Sequence, residues 1–330
     1  MRKITVTCPY RISFSGGGTD VSPFTEMYGG AVINATIDKG IRVSYVDDGQ
    51  PLEISSRDLL KSWSFSKSIH NNFLEGITKL FTKMGIETGR LSIAGDVPPG
   101  TGLGSSSALV LGLLMITKYL NGEEVDRERI AKETYDVERN FFGVTLGKQD
   151  PFAISFGGFK YTEFKANSYR MEMFDYEDPF VKMLERSTLM VYTGSTHNST
   201  DELQDEVGKL NEGSRELIDR LLEIKRNAEE ARDSIREGNF ERFVRLVDYG
   251  WDLKKGLRKD ISNPAVDSII SKARKSGAGA ARLMGGGSAG FILIISSPDK
   301  IWGVQRMMME SSEFVTRISF DQTGARQVTA

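Results

Sequence analysis

Residues 96–116, DVPPGTGLGSSSALVLGLLMI, constrain the fold more than any other stretch of the chain. Two prolines lead into a loop that holds Gly100, Gly102, Gly104, Ser105, Ser106 and Ser107, and an apolar run then continues almost to Gly122. A run apolar on every side predicts a helix buried within a substantial core, with the loop opening onto its N-terminus. First-turn N–H groups have no intrahelical acceptor and the helix dipole is positive there, so such an end attracts an anion, phosphate above all. The same letters also spell a tight turn with serine as N-cap. The stretch is not a Walker A motif, because no G-K-[ST] follows, and Ser107 stands where G-x-G-x-x-G requires its last glycine.

A core of that size needs a sizeable chain, and 330 residues give room for roughly two ordinary domains. The 43 basic and 45 acidic residues nearly cancel, so no global field favours nucleic acid or an anionic membrane as a partner. A single cysteine, Cys8, precludes an internal disulfide, and with two histidines it leaves no set for structural zinc. Neither a secretory leader pattern nor a run of about 18 apolar residues is present. The expectation is a cytoplasmic protein, monomer or homodimer.

Taken in order, Ile4, Val6 and residues 11–15 predict strand before the turn Gly16-Gly17-Gly18-Thr19-Asp20, which presents Asp20 at a strand end. Residues 32–37 and 41–46 read as a β-hairpin about Asp38-Lys39-Gly40, and 52–55 as a further strand. Helical spacing of Ile69, Phe73, Ile77, Leu80, Phe81 and Met84 predicts a helix over 66–84 that carries His70. Leu91 and Ile93 deliver the chain to the Gly/Ser loop. A helix over 125–141 bears Glu138, and Gly147-Lys148-Gln149-Asp150 precedes another apolar run. Asp150 by itself reads equally well as an N-cap.

The second half begins with a strand over 188–193 and continues through long amphipathic helices. The segment GAGAARLMGGGSAGFILII predicts two strands about a glycine turn. Gly285, Gly287 and Gly290 match G-x-G-x-x-G, but a strand follows instead of a helix, so the dinucleotide reading fails on context. With a helix after Pro298 and a last strand over 314–320, the order is β, helices, β, β, α, β, that of a split βαβ domain with added helices.

PYRISFSGGGTD, then PPGTGLGSSSA, then Glu138 twelve residues before the Asp150 of GKQD, then GAGAARLMGGGSAGF resemble, in this order, the GHMP kinases: galactokinase, homoserine kinase, mevalonate kinase and phosphomevalonate kinase. GGGTD and GKQD…FGGF look most like the kinases of D-glycero-D-manno-heptose phosphates. The resemblance implies an α+β, two-domain GHMP kinase fold. Residues 1–184 would be a ribosomal-S5-like α/β domain that binds ATP, and 185–330 a ferredoxin-like domain.

Carried over by position, Pro99, Gly100, Gly102, Leu103, Gly104, Ser105, Ser106 and Ser107 become the ATP phosphate cradle, and Ser106 with Glu138 the ligands of Mg2+. Asp150 takes the place of the general base, with Arg11 supporting it. Gly17, Gly18, Thr19 and Asp20 meet the acceptor, and Gly285, Gly286 and Gly287 close over phosphates and acceptor. The implied partner is a compact, already phosphorylated small molecule.

The heptose-phosphate kinases usually carry an arginine in T-G-x-x-R-x-S after the domain junction, and His197 stands at that point here. A contact to an anion and a plain polar loop both fit His197. An archaeal mevalonate 3-phosphate 5-kinase shares the scaffold and stays open as an alternative, as does a sensor that binds ATP and ligand without turnover.

Overall fold

The computed structural model describes residues 2–56, 61–64, 72–196 and 199–328. The chain begins with β1 (Arg2–Ser15), α1 (Phe24–Tyr28), β2 (Gly30–Pro51), β3 (Glu53–Ser56), β4 (Lys61–Ser64), α2 (Asn72–Lys83) and β5 (Thr88–Gly95). It continues with α3 (Ser105–Leu120), α4 (Arg127–Asp136), a π-helical turn over Val137–Phe141, α5 (Gln149–Phe156), β6 (Phe159–Phe164), β7 (Tyr169–Met173) and α6 (Pro179–Arg186). The remainder is β8 (Thr188–Tyr192), α7 (Ser199–Asn211), α8 (Arg215–Arg236), α9 (Phe240–Lys255), α10 (Pro264–Lys275), β9 (Ala280–Leu283), β10 (Phe291–Ile295), α11 (Ile301–Met309), β11 (Val315–Arg317) and β12 (Arg326–Gln327). His70 and His197, and the start of the helix expected over 66–84, lie outside the described residues.

β2 organises the larger sheet, whose order is β12-β1-β2-β5-β3-β4 with β6 and β7 added beside β2. Its residues 30–35 pair with β6 and 41–46 with β5, while β1 runs antiparallel to both halves. The hairpin expected about Asp38-Lys39-Gly40 is therefore one continuous strand. Pro9 faces Gly40 and Arg11 faces Thr36, so 37–39 bulge against Tyr10 alone. A bulge bends a strand without reversing it, and the turn-forming letters of 38–40 serve that bend.

α3 lies against β1 and β2 and is buried from Ser107 to Lys118. Each large apolar side chain between Leu109 and Ile116 contributes about 1.5–3 kcal/mol by leaving water. This helix fixes the loop before it as a rigid edge of the fold.

The smaller sheet has the order β11-β8-β10-β9, all antiparallel. Helices α7–α10 fall between β8 and β9, and α11 between β10 and β11, as the β, helices, β, β, α, β order predicts. β12 returns to the larger sheet beside β1. The halves meet backbone to backbone where the Phe291 N–H donates to the Thr101 carbonyl at 3.2 Å. That contact sets the Gly/Ser loop against the turn between β9 and β10.

Candidate active site

The N-cap of α3 is Gly104, in the left-handed region at φ 76° and with no side-chain cap. The serine N-cap reading is thereby corrected: Ser105, Ser106 and Ser107 lie inside the first turn, and their hydroxyls are free for other work. The Ser106 hydroxyl donates to Glu138 Oε1 at 2.7 Å and that of Ser107 to Oε2 at 2.5 Å. Ser106 is exposed, whereas Ser107 and Glu138 are buried.

Glu138 comes from the π-helical turn, where one extra residue shifts the helix face. Burial pushes its carboxyl up to about 7, against the opposing pull of the two serine hydroxyls, while the charge of Asp150 pushes it further up. The arrangement is an oxygen-donor pair, one hydroxyl and one carboxylate, at the mouth of a positively polarised helix end.

Across the loop, Arg11 of β1 grips Asp150 in the first turn of α5, Nε to Oδ1 at 2.6 Å and NH2 to Oδ2 at 2.9 Å. Its NH1 donates to the Gly102 carbonyl at 2.5 Å, and its backbone N–H to the Leu103 carbonyl at 3.0 Å. One arginine thus ties the loop to the carboxylate. A Cβ on Gly104 would lie 3.1 Å from Asp150 Oδ2, so glycine there supplies both the positive φ and the close approach.

Asp20 is buried, and its carboxylate accepts from the N–H of Gly18 at 3.1 Å and of Gln149 at 2.9 Å. Burial pushes it up, the Gln149 N–H pulls it down, and the charge of Asp150 adds to the rise. The Gln149 side chain accepts from Ser13 at 3.0 Å. The first turn and the GKQD segment are in this way stitched together around one carboxylate.

Arg11, Asp20, Glu138, Asp150, Gly17 and Gly18 all line a single cleft with the Gly/Ser loop and with Gly285 and Gly286, which pack beside that loop. Four expected residues are placed elsewhere. Thr19 is buried in its own turn and bonds the carbonyls of Gly16 and Ala31. Gly287 lies against the Ile261 backbone, Pro99 is exposed outside the cleft, and Leu103 is buried beneath the loop. Sequence reasoning missed Ser107 as the second hydroxyl on Glu138, and Gln149, Lys254 and Arg282 in the cleft wall. Arg282 carries a legible mark, a lone charge in the otherwise apolar strand AARL.

The family model described as GHMP kinases N terminal domain matches residues 71–158, and that described as GHMP kinases C terminal matches 231–308. The D-glycero-alpha-D-manno-heptose 7-phosphate kinase of Campylobacter jejuni is 28% identical over 99% of this chain and 99% of its own. A mevalonate kinase of Thermococcus sibiricus is also 28% identical, over 79% of this chain and 74% of its own. The crystal structure of a D-glycero-D-manno-heptose 1-phosphate kinase from Bacteriodes thetaiotaomicron has the same fold, with a TM-score of 0.77 over 99% of both chains at 24% identity. With both family segments in order across half the chain and one cleft between them, the chain belongs to the GHMP kinases, ATP-dependent enzymes that phosphorylate hydroxyl groups of small molecules.

Proposed function

We propose that this protein uses ATP and Mg2+ to phosphorylate a hydroxyl of a heptose phosphate. The observation that carries the reading is the position of Asp150, held by Arg11 at the loop that opens α3, with Asp20 bonded to the neighbouring Gln149 N–H in the same cleft. The near end-to-end match to a heptose 7-phosphate kinase supports the acceptor class, while the mevalonate kinase match is shorter. Residues 1–184 form the ATP-binding domain in this reading and 185–330 the second domain.

The residues present fit the groups that the reading requires. The uncapped first turn of α3 suits phosphate oxygens, and Ser106 beside Glu138 offers the hard oxygen donors that magnesium takes. Held by Ser106 and Glu138, magnesium would supply positive charge to neutralise the phosphates. Asp150 accepts the hydrogen bond of the acceptor hydroxyl through the lone pairs that Arg11 leaves open. Arg11 keeps a positive charge beside the transferring group, and Asp20 accepts from a second acceptor hydroxyl. Phosphoryl transfer asks chiefly for such alignment and charge neutralisation. A sensor without turnover would have no use for the Arg11–Asp150 and Ser106–Glu138 pairs together.

A panel with radiolabelled ATP tests the reading, using heptose 7-phosphate, mevalonate, mevalonate 3-phosphate, galactose and homoserine as acceptors. Transfer to heptose 7-phosphate is expected. Transfer to any other acceptor alone overturns the acceptor and keeps the kinase, and ATP binding with no transfer at all overturns turnover itself.

A further inference from the structure

Arg282 is a buried cation in the cleft wall, and among the described residues no anion is bonded to it. It is 3% exposed and lies on β9, and its NH1 donates to the Phe14 carbonyl of β1. That carbonyl is its one hydrogen-bond partner among the described residues, and its Nε is buried with none. The charged neighbour that acts on it is Arg11, of like sign, and burial with that repulsion brings the guanidinium down to about 10, still protonated at neutral pH. A guanidinium taken out of water and offset by one carbonyl is costly unless an anion completes its surroundings.

Among the described residues, each carboxylate that lines the cleft already has partners of its own. Asp150 is tied to Arg11, Glu206 to Arg258 at 3.1 Å, Glu138 to its serines, and Asp20 to the N–H groups of Gly18 and Gln149. A second cation, Lys254, lines the same wall from the last turn of α9 and donates to the Gly285 carbonyl. Gly250 lies one helical turn earlier on the same face. A Cβ there would stand 3.8 Å from Arg282 NH1, in ordinary contact, which places the guanidinium beside this face of α9.

We infer that Arg282 and Lys254 form an anion subsite for the phosphate that the acceptor already carries, where β9 and the last turn of α9 meet the cleft. The position argues for the acceptor and not for ATP. Arg282 bonds the Phe14 carbonyl at the end of β1, the strand that runs on into the Gly16–Gly18 turn and Asp20 on the cleft wall. A guanidinium fork also suits phosphate better than a point charge does. The subsite rests on the sugar-phosphate reading, and His197, for which an anion contact is one of two readings, lies outside the described residues.

The test compares heptose 7-phosphate with the same heptose lacking its phosphate, in the full chain and in Arg282→Met, Arg282→Lys and Lys254→Gln. Arg282→Met is expected to lower the preference in kcat/KM for the phosphorylated sugar on the order of tenfold or more, mostly through KM. Arg282→Lys should recover part of it, and Lys254→Gln should shift it in the same direction. A role confined to bolting β9 to β1 would reduce both sugars alike, and an unchanged preference overturns the subsite. If the wild type phosphorylates neither heptose, the acceptor reading falls and the subsite is judged on its own. Inorganic phosphate is then titrated calorimetrically onto protein filled with magnesium and a non-hydrolysable ATP analogue. Binding weakened on the order of tenfold in the variants keeps the subsite, and equal binding overturns it.

Discussion

Arg11 holds both carboxylate oxygens of Asp150, across 139 positions of chain, and with its remaining NH1 it holds the loop that begins α3. The pair is partly buried, with side chains 7% and 23% exposed, so water competes little for either partner. A bidentate guanidinium fixes the plane of a carboxylate. Asp150 thereby presents its outer lone pairs in one direction, toward the cleft, before any substrate arrives. The same three bonds make the loop before α3 and the carboxylate a single rigid unit, which is what alignment-driven phosphoryl transfer requires.

Asp150→Asn is expected to lower kcat by about 10²–10⁴-fold with a much smaller effect on the KM for ATP. Because Arg11 acts on the same unit, Arg11→Gln with Asp150→Asn should fall within about an order of magnitude of the worse single variant. Steady-state kinetics of the three proteins decide this. Fully additive losses would mean that the two residues work separately, and unchanged turnover in Asp150→Asn would remove it from the reaction.

The two serines on Glu138 are not equivalent, because Ser106 is exposed to the cleft and Ser107 is buried. Ser106→Ala is expected to raise the magnesium concentration for half-maximal rate on the order of tenfold, the loss of one ligand. Ser107→Ala removes a bond that positions the carboxylate and should act mainly on stability, at about 1–3 kcal/mol for the buried oxygen left unpaired. Magnesium titrations and denaturant melts of both variants separate the roles. A magnesium curve unaltered by Ser106→Ala would strike Ser106 from the ligand set.

A Cβ on Gly147 would come within 1.9 Å of Asp20 Oδ2, a distance no pair of atoms sustains. Gly147→Ala should therefore push the Asp20 carboxylate out of its seat between the N–H groups of Gly18 and Gln149. The expected result is an acceptor KM raised on the order of tenfold while the KM for ATP changes far less, since the loop of 100–107 does not touch this contact. Equal changes in both constants would show that Asp20 does not serve the acceptor side.

Local pattern carried much of this site in advance, where a few residues act through their neighbours in sequence. The α3 loop is one case, because an apolar run of that length leaves only a buried helix and its N-terminus. The β, helices, β, β, α, β order is another, since strand and helix periods are local. Long-range pairing was less legible. Asp38-Lys39-Gly40 has turn chemistry, yet register with β1 on one side and with β5 and β6 on the other makes it a bulge in a single strand. Ser107 and Glu138 lie 31 positions apart, and only the π-helical turn brings them together. Arg282 was visible as a charge in an apolar strand, but its meaning depends on β1, which lies 268 positions away.

Lys160 gives the fold a pH dependence of its own. Its ammonium is buried in β6 and donates to the carbonyls of Gly157 at 2.7 Å and Gly158 at 3.0 Å. Burial brings it down to about 7, partly opposed by Asp321. Between about pH 7 and the unfolded value near 10.4, the unfolded chain holds a proton that the folded chain has released. Stability from this group therefore rises with pH across that window, toward a limit of about 1.4 kcal/mol per pH unit, and is level below it, where both states are charged. Lys160→Met removes the titration along with the two hydrogen bonds. Its destabilisation relative to wild type should be smallest near pH 6.5 and should grow toward pH 10, as measured by urea midpoints at fixed ionic strength. Parallel stability curves for the two proteins would show that Lys160 keeps its proton throughout, with its carbonyl partners sufficient to hold the charge.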